Sequence, residues 1–156
     1  MSGLVSGLIG TQTQAAQPLV IAINSASDAN QTGGVLIADI EFDTVIKDQN
    51  GDFADDTFTA PVTGIYRIDT SVYTEGGTAS ISQTYLRIKS TLKNWARRTR
   101  ARTGTGDIQI TASALIDMDE GDTVFITLQE SGGSDTVDIY GTTGEYWTYF
   151  SAQLVA

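Results

Sequence analysis

Cysteine is absent from the 156 residues, and so is histidine. The first absence excludes disulfide staples of the small secreted type, so stability comes from packing and association. The second removes the commonest general base and the commonest metal ligand together. No stretch approaches the ~20 consecutive apolar residues that span a bilayer, which excludes membrane insertion. Long amphipathic helical periodicity is missing, as are internal repeats. Gly76-Gly77 and Gly132-Gly133 lack the following helix and lysine of a phosphate-cradling loop. Paired carboxylates decide nothing among 19 acids, and the chain reads as non-enzymatic.

Positive charge is scarce and confined. The nine Lys and Arg stand against 19 Asp and Glu, for a net charge of −10. Seven of the nine fall between Arg87 and Arg102, a window with no acid in it. An acidic field repels phosphate, so nucleic acid is excluded as a general partner. The basic island is Lys89, Lys93, Arg97, Arg98, Arg100 and Arg102 around Trp95. In a strand Arg98, Arg100 and Arg102 share one face. Arg suits bidentate pairing with carboxylate or phosphate. This island therefore reads as a contact with something acidic, whether a protein shell, an anionic polysaccharide or the acids of a neighbouring copy.

What is present is a body of alternating strands. Hydrophobic residues make up 40% of the chain, enough for one domain with its own core. Residues 18–156 form that body, and residues 1–17 an N-terminal arm. The arm lacks the basic start of a secretory signal. Its apolar residues Leu4, Val5, Leu8 and Ile9 recur at helical spacing, which fits either a short amphipathic anchor or a plain Gly/Ser/Thr/Gln-rich arm.

Within the body, Leu19 to Ile23 is a compact apolar run. Val35 to Ile46 reads as one long strand with Ile40, Phe42 and Val45 inward and Asp39, Glu41 and Asp43 wet. From Ile65, Tyr66, Ile68, Thr70 and Val72 alternate with Arg67, Asp69 and Ser71. Leu86 and Ile88 point inward from Tyr85 to Lys89. The stripe Ile108, Ile110, Ala112, Ala114 and Ile116 is followed by Val124, Ile126 and Leu128, with Gly121 supplying a positive φ at the turn between them. The last strand runs from Tyr146 to Val155. Eight to ten such segments make an antiparallel β-sandwich or barrel, with the jelly roll one way of closing its edges.

At Phe58-Thr-Ala-Pro-Val-Thr-Gly64-Ile-Tyr66 the chain resembles the globular head of complement component one-q, a relative of tumour necrosis factor. That family spaces Phe, Gly and Tyr in this way. Phe58 plugs the core, Pro61 presets the turn, Gly64 permits a bend and Tyr66 opens a buried strand. Phe42, Asp48 and Phe53 upstream are similar to the family pattern. So are Ala112 to Val124, with its Gly121-Asp122 turn, and the closing strand around Phe150. Ile68 and Thr70 stand where the family has aromatics. The resemblance implies a ten-strand jelly roll that assembles as a homotrimer. It does not imply complement activity, because no collagen-like Gly-X-Y stem precedes the head.

No cofactor is expected. Asp48, Asn50 and Asp52 open like a calcium loop, but Phe53 and Thr59 stand where Gly and Glu are required. The acids Asp52, Asp55 and Asp56, or Asp117, Asp119, Glu120 and Asp122, remain an alternative gathering point for calcium beside their ordinary role in solvated turns. Such heads recur on phage fibres and capsid decorations. By analogy the chain is expected to be made in a bacterial cytoplasm and built into a bacteriophage virion, as a capsid decoration or head-fibre protein. The alternative is the receptor-binding tip of a tail fibre, with Tyr146 and Trp147 stacking on host glycan or else buried between subunits. A glycan hydrolase is the remote third.

Overall fold

The computed structural model describes residues 17–32, 36–37, 40–77, 81–91, 94–99, 106–131 and 136–156. Among the described residues there are strands and turns and no helix. The strands are β1 (Leu19–Ile23), β2 (Ala26–Thr32), β3 (Leu36–Ile37), β4 (Thr44–Asp48), β5 (Phe53–Ala54), β6 (Thr57–Thr59), β7 (Gly64–Gly77), β8 (Gln83–Ser90), β9 (Asn94–Thr99), β10 (Gly106–Met118), β11 (Thr123–Ser131), β12 (Thr136–Thr142) and β13 (Tyr149–Leu154).

Alternation decides which way each strand faces. In β7, Tyr66, Ile68, Thr70, Val72 and Thr74 are buried, while Arg67, Asp69, Tyr73 and Glu75 lie on the other face. Because the side-chain period is two, the chain has only to place apolar residues at every second position to acquire a dry face. That face needs a second layer, and β11 supplies it with Val124, Ile126 and Leu128, all fully buried.

Two antiparallel sheets result, one of seven strands and one of six. In the first, β7 is the axis. Its one edge pairs with β10 from Gly64–Met118 to Gly77–Gly106. Its other edge is divided, β13 taking Tyr66 to Ser71 and β12 taking Thr74 and Glu75. β1 and then β4 continue beyond β13, and β2 lies outside β12. In the second sheet β11 pairs with β8 over Val124 to Ser131, while its far edge holds β6 and β3. β9 closes that sheet on β8, and β5 on β6.

The rings of Phe42, Phe53 and Phe150 meet between the layers, with Phe53 and Phe150 stacked at 5.3 Å. Phe58 and Tyr66 pack at 5.4 Å. The Tyr66 hydroxyl escapes burial without a partner by donating to the Val62 carbonyl at 2.7 Å. Phe58, Tyr66 and Phe150 are each fully buried.

Gly64 differs in its reason from the expected bend. Its φ is not in the left-handed region. A Cβ there would lie 2.6 Å from the Ala156 carbonyl oxygen and 2.6 Å from Leu154 Cδ1. The glycine is a close-approach site against the end of the chain, where Ile65 N donates to Ala156 O. Gly121 does have the positive φ its turn requires, at 89°.

Among the described residues the single strand expected over Val35 to Ile46 is replaced by two short ones, with Val35 and Asp39 lying outside those residues. Ile40 and Phe42 are buried and Glu41 and Asp43 exposed, so the alternation holds. The hydrogen bonds do not continue a ladder, because Ile40 N donates to Ile126 O and Phe42 N to the Asp56 carboxylate. Val45 is 46% exposed rather than inward, because β4 is an outer strand whose register against β1 shifts between Ile21 and Ala22. These divisions, with the short β5–β6 pair, raise the strand count among the described residues above the expected ten.

Candidate self-association and binding surfaces

The outward face of the seven-stranded sheet is built by the register. Leu115, Arg67, Gln153 and Leu19 form one row across β10, β7, β13 and β1. Ser113, Asp69, Ser151 and Ile21 form the next, and Thr111, Ser71, Tyr149 and Ile23 the third. Small residues occupy the middle, so another surface can approach closely. Leu115 is 60% exposed at the margin. Arg67 and Asp69 pair at 2.7 Å, the one ion pair among the described residues. It is partly exposed and contributes little to stability.

One end of this face is aromatic. Tyr73 on β7, Tyr140 on β12 and Trp147 just before β13 meet edge to face, at 5.6 Å, 4.7 Å and 6.0 Å between ring centroids. Thr148 locks their backbones together. Its hydroxyl donates to Tyr140 O at 2.7 Å and accepts from Tyr73 N at 3.1 Å. The Tyr73 hydroxyl reaches Asp107, and the indole N–H of Trp147 donates to Glu145. Packing among the rings, and then the Asp107 carboxylate, raise the Tyr73 phenol above its ordinary value. Beside the rings is a shallow cavity of about 220 Å³ lined by Gln109, Glu145, Tyr146 and Trp147. Sequence reading singled out Tyr146 and Trp147 but missed Tyr73 and Tyr140, which come from distant strands and meet only through the β7–β12 pairing.

The outward face of the six-stranded sheet has the opposite chemistry. Arg87 donates to Gln129 at 2.7 Å and lies over the Tyr85 ring. Lys89 lies over the Phe125 ring. Of the basic-island residues, Trp95, Arg97 and Arg98 fall on β9, in register with Ile88, Leu86 and Tyr85 respectively. Arg100, Arg102 and Lys93 lie outside the described residues, as do Leu4, Val5, Leu8 and Ile9 of the arm.

Several of the acids are committed to structure. Burial pushes the Asp48 carboxyl up, but backbone N–H groups of Asp52, Phe53, Gly51 and Asn50 donate to it and outweigh that, leaving its pKa lowered. The broken calcium loop is thus a turn cap. Asp122 accepts from Thr91 Oγ1 and Asp119 N. Asp28, Glu41, Asp43 and Asp56 crowd one corner, where the Asp28 charge raises Glu41. Among the described residues no three acidic side chains converge as an ion site. Glu130, which the sequence reading did not single out, is buried on the core side of β11 and accepts from Thr84 Oγ1 at 3.2 Å.

The family model for the C1q domain matches residues 22–155. The chain belongs to the C1q domain family. A C1q head is a non-catalytic module, and this chain is read as one. The solved globular domain of zebrafish complement 1qA protein is similar at 18% identity and a TM-score of 0.64, covering 90% of this chain and 98% of that one. Murine APRIL is similar at 8% identity and a TM-score of 0.57, covering 89% and 99%. These two share the fold of this C1q domain, and their identities support nothing finer. No curated protein sequence matches the chain.

Proposed function

We propose that this C1q-type head is a homotrimeric, non-catalytic structural protein of a bacteriophage virion, a capsid decoration or head fibre. The observation that carries the trimeric part is the outward face of the seven-stranded sheet. It presents Leu115 in the open, small residues at its centre and the Tyr73–Tyr140–Trp147 cluster at one end. A flat face with an aromatic end and a small-residue middle suits burial against identical copies.

Absence of cysteine suits folding in a reducing cytoplasm before incorporation into a particle. The apolar residues Leu4, Val5, Leu8 and Ile9 suit anchoring to a capsid. The tail-fibre alternative draws support from the cavity beside Tyr146, which is 51% exposed next to Trp147, Gln109 and Glu145. An exposed ring flanked by an amide and a carboxylate suits a sugar.

Sedimentation equilibrium of the purified chain should give three times the 16.6 kDa of one subunit. A mass that stays at one subunit across concentrations would sink the trimeric reading. Copy number on purified particles separates the placements, being high over a shell and low at a tail tip.

A further inference from the structure

We propose that the outward face of the six-stranded sheet binds a single strand of an anionic polysaccharide. The inference rests on the reading that the seven-stranded face lies between copies, which leaves this opposite face turned outward.

The register makes a small grid. On β8, Lys89, Arg87 and Tyr85 share the outward side, and β11 sets Phe125, Thr127 and Gln129 opposite them, Thr127 itself being buried at the centre. β9 continues each row with Asn94, Ala96 and Arg98. No acid stands at an outward position of β8 or β11, although the whole chain carries −10. Among the described residues neither Arg87 nor Lys89 meets a carboxylate. Both are held by neutral partners instead. Gln129 accepts one Arg87 N–H, and the Tyr85 and Phe125 rings lie under the two cations at 5.4 Å and 5.9 Å. Cations oriented by rings and an amide keep their charge and most of their donors for a ligand.

Size selects the ligand. Rows two residues apart on strands about 4.8 Å apart give a grid of roughly 13 by 10 Å. A protein partner needs about 800 Å² on each side, and beyond the grid an acidic protein would meet the acidic body of this chain. A linear polymer about one sugar wide crosses the grid without touching the rest. Backbone groups of β8 and β11 are already used in their shared ladder, so an added peptide strand has no edge to pair with here. The rings are capped by the cations, which leaves little open face for stacking nucleobases.

The test uses the full chain, with labelled dextran sulfate, neutral dextran of equal length and oligothymidylate as probes in low-salt buffer. Dextran sulfate should bind and neutral dextran should not. The double variant Arg87→Gln, Lys89→Gln should weaken binding about tenfold or more. The exchange Arg87→Lys, Lys89→Arg should keep binding within about threefold, with circular dichroism confirming the fold of both. Equal affinity of the Gln variant and the parent, or equal binding of neutral dextran, overturns the proposal. Tighter binding of oligothymidylate replaces polysaccharide by nucleic acid and also overturns it. Sedimentation in the same buffer keeps the readings apart. A monomer that binds dextran sulfate in the Lys89- and Arg87-dependent way defeats trimerisation alone, and a trimer that does not bind defeats the polysaccharide alone.

Discussion

Asp48 shows how one side chain fixes a turn. Its two oxygens collect the N–H groups of residues 50 to 53, which a turn would otherwise leave to water. Because the folded state favours the ionised carboxyl, this contribution is complete above the ordinary carboxylate range, about pH 4. It fades as pH falls through the lower folded value. Asp48→Asn should cost about 1 kcal/mol at neutral pH, allowing for partial exposure. In urea melts, the gap between parent and variant should close on acidification below about pH 4. A gap that persists at the acid end would show that the charge is not what holds the turn. Asp28 and Glu41 act with the opposite sign. Their pKa values are raised, Asp28 first by burial and Glu41 first by the Asp28 charge, so protonating them as pH falls through those raised values favours the fold.

At the scale of the element, β10 is the exposed case. It is an outer strand paired on one edge to β7, and its outward side carries Leu115 in the open. Long outer strands are liabilities unless covered. Since Leu115 makes no core contact, Leu115→Lys should leave the thermal midpoint of the fold within about 1 °C while weakening self-association about tenfold or more. Unchanged association by sedimentation would remove this face from the interface. The strands themselves were legible because period-two alternation is a local property. β7, β8, β10 and β11 each satisfy it within their own residues, and β1 shows instead as a compact apolar run. The arrangement that makes the aromatic cluster was not legible, since Tyr73, Tyr140 and Trp147 meet only after β7 divides its edge between β13 and β12. The split of Val35 to Ile46 was hidden for a related reason. Ile40 and Phe42 bury correctly while their N–H groups go to Ile126 and Asp56, and a pattern of burial does not report hydrogen-bond partners. Gly64 was flagged by its spacing to Phe58 and Tyr66, but its reason, the Ala156 carbonyl, lies at the far end of the chain.

For the whole molecule, charge and assembly pull against each other. Each chain carries −10, so copies repel one another at long range while their aromatic faces attract at contact. Salt screens the repulsion and leaves burial almost untouched, the screening length falling from about 30 Å at 0.01 M to about 8 Å at 0.15 M. Self-association should therefore strengthen as salt rises over that range, as read by sedimentation velocity. Polysaccharide binding to the Arg87–Lys89 face should weaken over the same range, and matching trends in both would contradict the assignment of separate faces to the two contacts.

The corner where Gln17 donates to Leu154 O, and where Leu154 N donates to Pro18 O, has a mechanical meaning. β1 and β13 are antiparallel neighbours whose outer ends, Leu19 and Gln153, sit together. Tension between residue 17 and residue 156 would peel that ladder one rung at a time, from Leu19–Gln153 towards Ile23–Tyr149, and would reach the Phe150 ring only at the fourth rung, Ala22–Phe150. Tension entering at residue 17 and leaving through a broad face of the sandwich instead spreads over many rungs at once. The head is strong when held from one end of its chain and weak when pulled from both.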